Sequence, residues 1–417
     1  MTPTRSVARV GRPGARRCRP THGIRAYAAT VGALFGVLAL SGCAAVSRPS
    51  TSVTALIAEA PTTNAANAAV RDSVIARLAR RAVARGDATL DLLLLSGGGQ
   101  HGAFGVGFLR GWAARTDAPM PRFDLVSGIS TGALQAPFAL LGTPAALDTI
   151  ATLYRAAADR IAPTLDWWFW LRRTGGLVNT SRYERSLRTT VDTSLRTQLR
   201  REFDEDRQLL TATTDLDLGI GRLWDLGVEF GTTDAALART HTLLYTATAI
   251  PGIFPPRVID GHVHGDGGII ANALPLLELD DYRRLAAQLR ASGVTTPVHV
   301  RVWVLMNLWT HAPPRVIPPA KRGAISSRST EVLFWSAQPM LLRRLEEMAE
   351  AVRLAVPGLQ LDVRIAAPAS SLATEPGADK LFDKGWMARL ETIGYEQARS
   401  AAPWNTVWSA YARPPAR

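Results

Sequence analysis

The sequence predicts an α/β domain with a three-layer α/β/α architecture, in which helices cover both faces of a mostly parallel central sheet. Strand-like and helix-like segments alternate from residue 87 to residue 411 without an internal repeat, which is typical of parallel strands joined by helices. The run Leu90–Leu95 is apolar at nearly every position, as expected for a strand buried on both faces. At roughly 330 residues, the segment is long enough for one large domain with its own core.

Residues 1–42 have the composition of a secretory signal peptide. They contain seven arginines and no acidic residue, and they end in a short apolar run followed by Leu40-Ser41-Gly42-Cys43. This ending resembles a bacterial lipobox, so Cys43 is predicted to be the first mature residue and to carry lipid. A generic signal with an incidental cysteine is the alternative. Because Ala44 replaces the aspartate that often retains such proteins in the inner membrane, attachment to the outer membrane of the bacterial envelope is favoured.

Removal of this segment changes the composition that bears on function. The net charge falls from +13 to +6 when its seven arginines are lost, and the loss of Cys18 leaves Cys43 as the single cysteine. A disulfide framework and a cysteine metal site are then excluded, and we expect neither a metal nor another cofactor. The remaining arginines are dispersed rather than clustered, so nucleic-acid binding has little support.

Residues 43–86 are predicted to connect a lipid anchor to the domain. Residues 44–69 are rich in Ala, Ser, Thr, Pro and Asn without a sustained apolar period, which indicates a linker. Residues 70–85 carry apolar side chains at helical spacing and are predicted to form a short amphipathic helix. We expect this helix to pack on the domain rather than on the membrane.

A glycine-rich loop follows the first strand and precedes a helical pattern. The loop consists of Gly97, Gly98, Gly99, Gln100, His101 and Gly102. Consecutive glycines at a strand-to-helix turn leave backbone N–H groups open to bind an anion. A dinucleotide site would need an acidic residue about 20 positions further on at a strand end, and neither Asp117 nor Asp124 is well placed. An oxyanion hole for acyl transfer is favoured because a serine turn lies one strand later.

That turn is Gly128-Ile129-Ser130-Thr131-Gly132, which ends the apolar run Phe123–Ser127 and begins a helix. At a sharp strand-to-helix turn the serine backbone is strained, and its neighbours Gly128 and Gly132 must lack a Cβ. The Ser130 hydroxyl would then lie at the carboxyl edge of the sheet, near a helix N-terminus that favours negative charge. An ordinary capping serine is the alternative.

A third segment, residues 261–268, places Asp266 before two glycines, Gly267 and Gly268. Two glycines permit a tight turn and a close approach to the serine. A simple turn aspartate is the alternative, because Asp-Gly pairs are common in turns.

Together, the three segments resemble the patatin-like phospholipase family, which has a G-G-G-x-[RK]-G loop, a G-x-S-x-G nucleophile and a D-G-[GA] aspartate. The resemblance is dense over residues 90–275 and implies a patatin-like α/β/α fold, a phospholipid or other acyl-ester substrate, and a dyad that needs no histidine. It implies Ser130 as nucleophile and Asp266 as base, with the amides of residues 97–100 as the oxyanion hole. His101 replaces the family's arginine or lysine, so a permanent charge is replaced by a titratable one.

Two other functions remain open from the sequence. An α/β-hydrolase esterase would use a serine, an acid and a later histidine, for which His311 is a better placed candidate than His299. A non-catalytic envelope lipoprotein could bind lipid or a protein partner on the same fold. The aromatic cluster Trp167–Trp170 could line an acyl site or meet a lipid interface, but packing within an insertion is favoured.

Overall fold

A computed structural model of the protein describes residues 48, 50–160, 162–166, 174–380 and 382–404. The predicted signal peptide, Cys43, the aromatic cluster 167–170 and the C-terminal tail lie outside the described residues. The described helices are α1 (Val53–Arg85), α2 (Gly102–Ala113), α3 (Thr131–Leu141), α4 (Pro144–Arg160), α5 (Ser181–Thr190), α6 (Thr193–Asp204), α7 (Leu226–Glu229), α8 (Asp234–Ala247), α9 (Leu279–Ala291), α10 (Arg322–Ala355) and α11 (Lys384–Arg399). The described strands are β1 (Thr89–Leu95), β2 (Leu125–Gly128), β3 (Thr164–Leu165), β4 (Val178–Asn179), β5 (Gln208–Asp215), β6 (Ile220–Asp225), β7 (Arg257–Ile259), β8 (His262–Asp266), β9 (Val298–Leu305) and β10 (Leu359–Ala366).

The central sheet is mixed and mostly parallel. Its strand order is β10-β9-β1-β2-β5-β8-β7, with β6 added to β5. The pairs from β10 through β5 are parallel, whereas β6, β7 and β8 pair antiparallel. All carboxyl ends of the parallel strands therefore meet at one edge of the sheet, which is where ligands bind in open α/β sheets.

Helices cover both faces of this sheet, so the predicted three-layer α/β/α architecture is confirmed. Alternate residues of β1 enter different cores: Leu93 and Leu95 pack with α2, α3 and α11, while Leu92 and Leu94 pack with α1, α9 and α10. This two-sided burial explains the continuous apolar run seen in the sequence. No helix in the described part of the chain is long and apolar enough to cross a bilayer.

The first helix is much longer than predicted. The prediction of a linker over residues 44–69 is wrong from Val53 onward, because α1 is a single helix of 33 residues. It begins after Ser52, whose side chain accepts a hydrogen bond from the Ala55 amide as an N-cap. Alanines, which have the highest helix propensity, supply much of its first half. This half docks through polar rather than apolar contacts: Asn67 donates to the Gly221 carbonyl and accepts from the Leu223 amide on β6. The apolar period expected of a packed helix is therefore absent there.

The second half of α1 packs on the domain, as expected for residues 70–85. Val74, Ile75 and Leu78 are buried in the core between α1 and the sheet. Beside them, Arg81 and Arg85 bind the fully buried carboxylate of Asp124 at 3.0 and 2.7 Å. A buried carboxylate requires such cationic partners, so α1 is an integral part of the fold.

The later elements have the periodicity of their secondary structure. Residues 298–305 and 359–366 alternate apolar and other side chains and form β9 and β10. The long helix α10 spans Arg322–Ala355, and the closing helix α11 begins at Lys384. Asp383 sets that start because its side chain accepts from the Trp386 amide as an N-cap.

Candidate active site

Ser130 lies in the sharp turn between β2 and α3. Its backbone has φ 50° and ψ −123°, a conformation that is strained for a residue with a Cβ. The flanking glycines are required by close backbone packing. A Cβ on Gly128 would lie 2.1 Å from the Gly132 carbonyl oxygen, and a Cβ on Gly132 would lie 2.5 Å from the Leu95 carbonyl oxygen. The strained turn predicted from the sequence is therefore present.

The sheet itself places Asp266 beside this turn. β6 occupies one edge of β5 along residues 210–215, so β8 pairs with β5 on the edge that β2 uses, beyond the end of β2. Gly128 on β2 is opposite Thr211, and Asp266 is opposite Thr213, two residues further along the same strand. The strand register thus brings the carboxylate to the end of β2, where Ser130 follows.

The turn after Asp266 needs both of its glycines. A Cβ on Gly267 would lie 2.4 Å from the Ala212 carbonyl oxygen, and the Gly268 amide donates to the Asp266 carboxylate at 2.7 Å. The Thr214 hydroxyl donates to the Asp266 carbonyl at 2.9 Å and fixes the strand end. These contacts hold the carboxylate in one position.

Asp266 and Ser130 are neighbours at the site, and both residues are buried. Burial raises the pKa of Asp266 to about 6, although the interaction with the Ser130 hydroxyl and the hydrogen bond from the Gly268 amide act in the opposite direction by stabilising the charged form. A carboxylate with this proton affinity is suited to accept a proton from a neighbouring hydroxyl near neutral pH.

The glycine loop lies against the serine, but its four predicted donors are not equivalent. The Gly97 amide donates to the Asn272 carbonyl at 2.9 Å. The prediction that this amide binds an oxyanion is therefore wrong. The Gly98 and Gly99 amides have no acceptor within the described residues and remain open. Gly99 has φ 56°, and a Cβ on Gly98 would lie 2.9 Å from the Asn307 Cβ, so each position favours glycine.

The Gln100 side chain turns away from the serine. Its amide nitrogen donates to the carbonyls of Gly377 and Lys380, and its amide oxygen accepts from the Asp383 backbone at 2.8 Å. The side chain is buried and fully engaged. Gln100 therefore attaches the C-terminal segment 377–383 to the glycine loop.

His101 is a neutral residue of the loop interior. Its Nδ1 atom lies 3.1 Å from the Gly98 carbonyl oxygen, and its ring meets Trp309 and Trp386 edge to face. Burial lowers the pKa of His101 to about 4, so it is uncharged at neutral pH. His101 thus stabilises the loop and does not supply the positive charge that arginine or lysine would. Gly102 follows at a point where a Cβ would lie 2.4 Å from the Thr131 Oγ1 atom.

An apolar cavity opens beside Ser130 between α3, α4 and α5. The free volume inside it is about 80 Å³. Its wall is mainly aliphatic and aromatic and includes Leu134, Phe138, Leu153, Leu187, Phe254 and Met387. Such a cavity suits a hydrocarbon chain.

No histidine in the described part of the chain is hydrogen-bonded to Ser130 or Asp266. His299 is exposed at the amino-terminal end of β9, and His311 lies in the loop that precedes α10. His264 is on β8 but bonds to Thr213 at 3.0 Å. The described residues also contain no group of His, Cys, Asp and Glu that could hold a metal ion.

A comparison with protein-family models matches the region that contains the three predicted segments. Residues 93–280 match the Patatin family model, patatin-like phospholipase. The matched region contains Ser130 and Asp266, together with the glycine loop that precedes them. We refer to residues 93–280 as the patatin domain.

Among solved structures, the chain is similar to VipD from Legionella pneumophila, at 14% identity and a TM-score of 0.35. The similarity covers 74% of this chain and 66% of that one, so the chain spans just under two thirds of the length of VipD. A search of curated protein sequences finds no match.

Polar residues outside the motifs also support the site of the patatin domain. Asn307, which follows β9, donates from its backbone to the Ser96 hydroxyl at 2.8 Å and from its side chain to the Ser96 carbonyl at 2.6 Å. Asn272 accepts from Gly97, and its side chain donates to Gln338 at 3.2 Å. The sequence signal that could have identified Asn307 is its position directly after a buried strand, because polar residues at the carboxyl edge of an α/β sheet often belong to a functional site.

Proposed function

We propose that the protein is a lipid acyl hydrolase in which Ser130 is the nucleophile and Asp266 the general base. The observation that carries this proposal is the position of Ser130 in a strained strand-to-helix turn beside the buried carboxylate of Asp266, whose pKa burial raises to about 6. The apolar cavity beside Ser130 supports an acyl chain as the group that is bound, and the patatin domain supports a lipid ester as substrate.

In the first half of the reaction, the Ser130 oxygen attacks the ester carbonyl carbon while its proton passes to Asp266. The open amides of Gly98 and Gly99 stabilise the negative oxygen of the tetrahedral intermediate. When the intermediate collapses, the ester C–O bond breaks and the leaving alcohol takes the proton from Asp266. The acyl group remains on Ser130.

In the second half, Asp266 takes a proton from a water molecule, which attacks the acyl-enzyme carbonyl. Collapse of this intermediate releases the fatty acid and returns the proton to the Ser130 oxygen. Asp266 performs both proton transfers, so the sequence of steps needs no histidine.

A fluorophosphonate probe and two substitutions test these roles. We expect Ser130→Ala and Asp266→Asn each to lower hydrolysis of a short soluble ester by at least about a thousandfold, because nucleophile and base act as a unit. The probe should label Ser130 and no other serine. Ser127→Ala is the matched control, since Ser127 is a buried serine three positions earlier on β2, and it should keep its activity. Substantial turnover by either site variant would refute the dyad.

The α/β-hydrolase triad has less support. In a triad, the acid bonds to a histidine that bonds to the serine. Here the carboxylate of Asp266 accepts from the Gly268 amide, and its ionised form is favoured by the Ser130 hydroxyl, not by a histidine. The non-catalytic alternative predicts no probe labelling at Ser130, so the same experiment tests it.

The proposal includes a location in the bacterial envelope, with the outer membrane favoured. Its basis is the order of basic, apolar and Leu-Ser-Gly-Cys segments in residues 1–43. Mass spectrometry of the mature protein should find an acylated Cys43 at the N-terminus, and Cys43→Ser should leave a precursor that is not lipid-anchored. An unmodified Cys43 inside a different mature N-terminus would contradict this location.

A further inference from the structure

Helix α10 is longer than the strand it packs against. Its 34 residues span about 51 Å, whereas the eight residues of the following strand, β10, span about 26 Å. The C-terminal part packs on the sheet through Leu342, Leu345 and Val352. Because α10 leads directly into the start of β10 and packs against it, its N-terminal half extends past the sheet edge at which Ser130 lies.

Two side chains attach this N-terminal half to the site. Trp335 and Gln338 are buried residues of this half. Gln338 accepts from the Asn272 side chain at 3.2 Å, and Trp335 stacks on Trp309 with ring centroids 5.7 Å apart. Asn272 in turn binds Gly97, so the free half of α10 has a fixed position next to the glycine loop.

The opposite side of this half is apolar and exposed. Ile325, Val332, Leu333 and Met340 are 44%, 43%, 72% and 73% exposed. At 3.6 residues per turn, these four side chains lie on the side of α10 away from Gln338. Together they form an exposed apolar strip along this side of the helix.

Charge distinguishes the two halves of the helix. Lys321, Arg322 and Arg343 are exposed near this strip and have no acidic partner within the described residues. The C-terminal part, residues 342–355, carries three arginines and three glutamates, so its net charge is 0. Residues 321–341 carry Lys321, Arg322 and Arg328 against Glu331, a net charge of +2, so an anionic surface is attracted more strongly to the N-terminal half.

We propose that this surface, defined by Ile325, Val332, Leu333 and Met340 with Lys321, Arg322 and Arg343, docks the protein on a lipid bilayer with anionic headgroups. The apolar side chains enter the boundary between headgroups and acyl chains, while the cations contact the headgroup phosphates. The choice of a bilayer as occupant rests on the proposed function.

The same sheet edge carries further exposed apolar side chains. Ile269 and Ile270 follow the Asp266 turn and are 43% and 49% exposed. Ile270 is two residues from Asn272, which binds Gln338 of α10. Apolar contacts are thus available on both sides of the site.

A fluorescent reporter tests the docking without catalysis. In a full-length Cys18→Ser, Cys43→Ser, Ser130→Ala background, an environment-sensitive dye is attached at Leu333→Cys or, as the matched control, at Leu354→Cys. Leu354 is 69% exposed on the same helix, at its C-terminal end. Phosphatidylglycerol-rich vesicles should shift the emission of the dye at position 333 to the blue and leave position 354 unchanged. Because both proteins share one N-terminus, residues 1–47 cannot cause the difference.

Three results would overturn the docking surface. Equal shifts at both positions would mean that the helix has no preferred end, and no shift at either would mean that it does not meet lipid. A shift at position 333 that depends on protein concentration and needs no vesicles would identify a second copy of the chain as the occupant.

Hydrolysis separates this inference from the proposed function. In the active chain, Leu333→Ser with Met340→Ser should lower hydrolysis of vesicle lipid by at least about tenfold, because interfacial binding scales with buried apolar area. Hydrolysis of a short soluble ester should stay within about twofold, since that substrate needs no bilayer. Equal losses on both substrates would overturn docking. If the unsubstituted chain hydrolyses neither substrate while the reporter at position 333 still responds, only the proposed function fails.

Discussion

At the scale of single residues, Asp266 combines burial with a charge. The carboxylate is 5% exposed, and its pKa of about 6 means that it is ionised at neutral pH inside the protein. The interactions of this carboxylate with Ser130 and with the Gly268 amide lower the free energy of the charged state, but they do not remove the cost of desolvation. The site thus maintains a base at some expense of stability.

The pH dependence of activity should show this base. The ionised form of Asp266 accepts protons, so activity should be lost as the pH falls below about 6 and should reach a plateau above it. The measurement is kcat/KM for a short soluble ester between pH 4.5 and 8, with circular dichroism as a check that the fold persists. A profile that stays level down to pH 4.5 would contradict the role of Asp266.

Stability should change in the opposite sense. The folded pKa of Asp266 exceeds the ordinary value of 3.8, so the folded state binds the proton more tightly and loses stability as the pH rises through this interval. A shift from 3.8 to about 6 corresponds to a cost of up to about 3 kcal/mol at pH 8. Asp266→Asn removes this cost, so its Tm should exceed that of the unsubstituted protein at pH 8 and approach it near pH 4. A lower Tm at pH 8 would mean that the carboxylate stabilises the fold.

At the scale of secondary structure, α1 shows how a helix outside the catalytic motifs becomes essential to the domain. Arg85 binds Asp124 at 2.7 Å and Asp91 at 3.1 Å, and both carboxylates are fully buried. Asp91 also accepts from Arg301 and from the Trp303 indole. Helix α1 therefore closes a charged cluster beneath β1 and β2, the strands that lead to the glycine loop and to Ser130.

Two arginines on α1 offer a matched test. Arg85→Ala should lower the free energy of unfolding by about 3 kcal/mol, because it leaves buried carboxylates partly uncompensated. Arg80→Ala should cost less than about 1 kcal/mol, since the Arg80 side chain is 59% exposed where it binds Asp206. Denaturant unfolding followed by tryptophan fluorescence measures both. Equal effects would mean that the buried cluster contributes no more than an ordinary surface pair.

At the scale of the whole molecule, the predictable features are those fixed by local sequence. The buried strand at 90–95, the Ser130 turn and the Asp266 turn each have a pattern that follows from backbone sterics or from burial on two faces. Features that depend on distant partners could not be predicted. Polar docking of α1 through Asn67 leaves no apolar period, and the loss of the Gly97 donor depends on the carbonyl of Asn272. The neutral state of His101 follows from burial by two tryptophans distant in sequence.

The attachment of Gln100 to segment 377–383 has a consequence for the order in which the site matures during synthesis. The glycine loop and Ser130 leave the ribosome in the first third of the chain, and Asp266 follows in the middle. The acceptors for the Gln100 amide, at Gly377 and Lys380, are made later still. Until then Gln100 has no partners to hold it inside the protein, and a buried amide without partners is unfavourable. The glycine loop is thus completed only after segment 377–383 has been made, so a competent site forms well after its nucleophile and base have been synthesised.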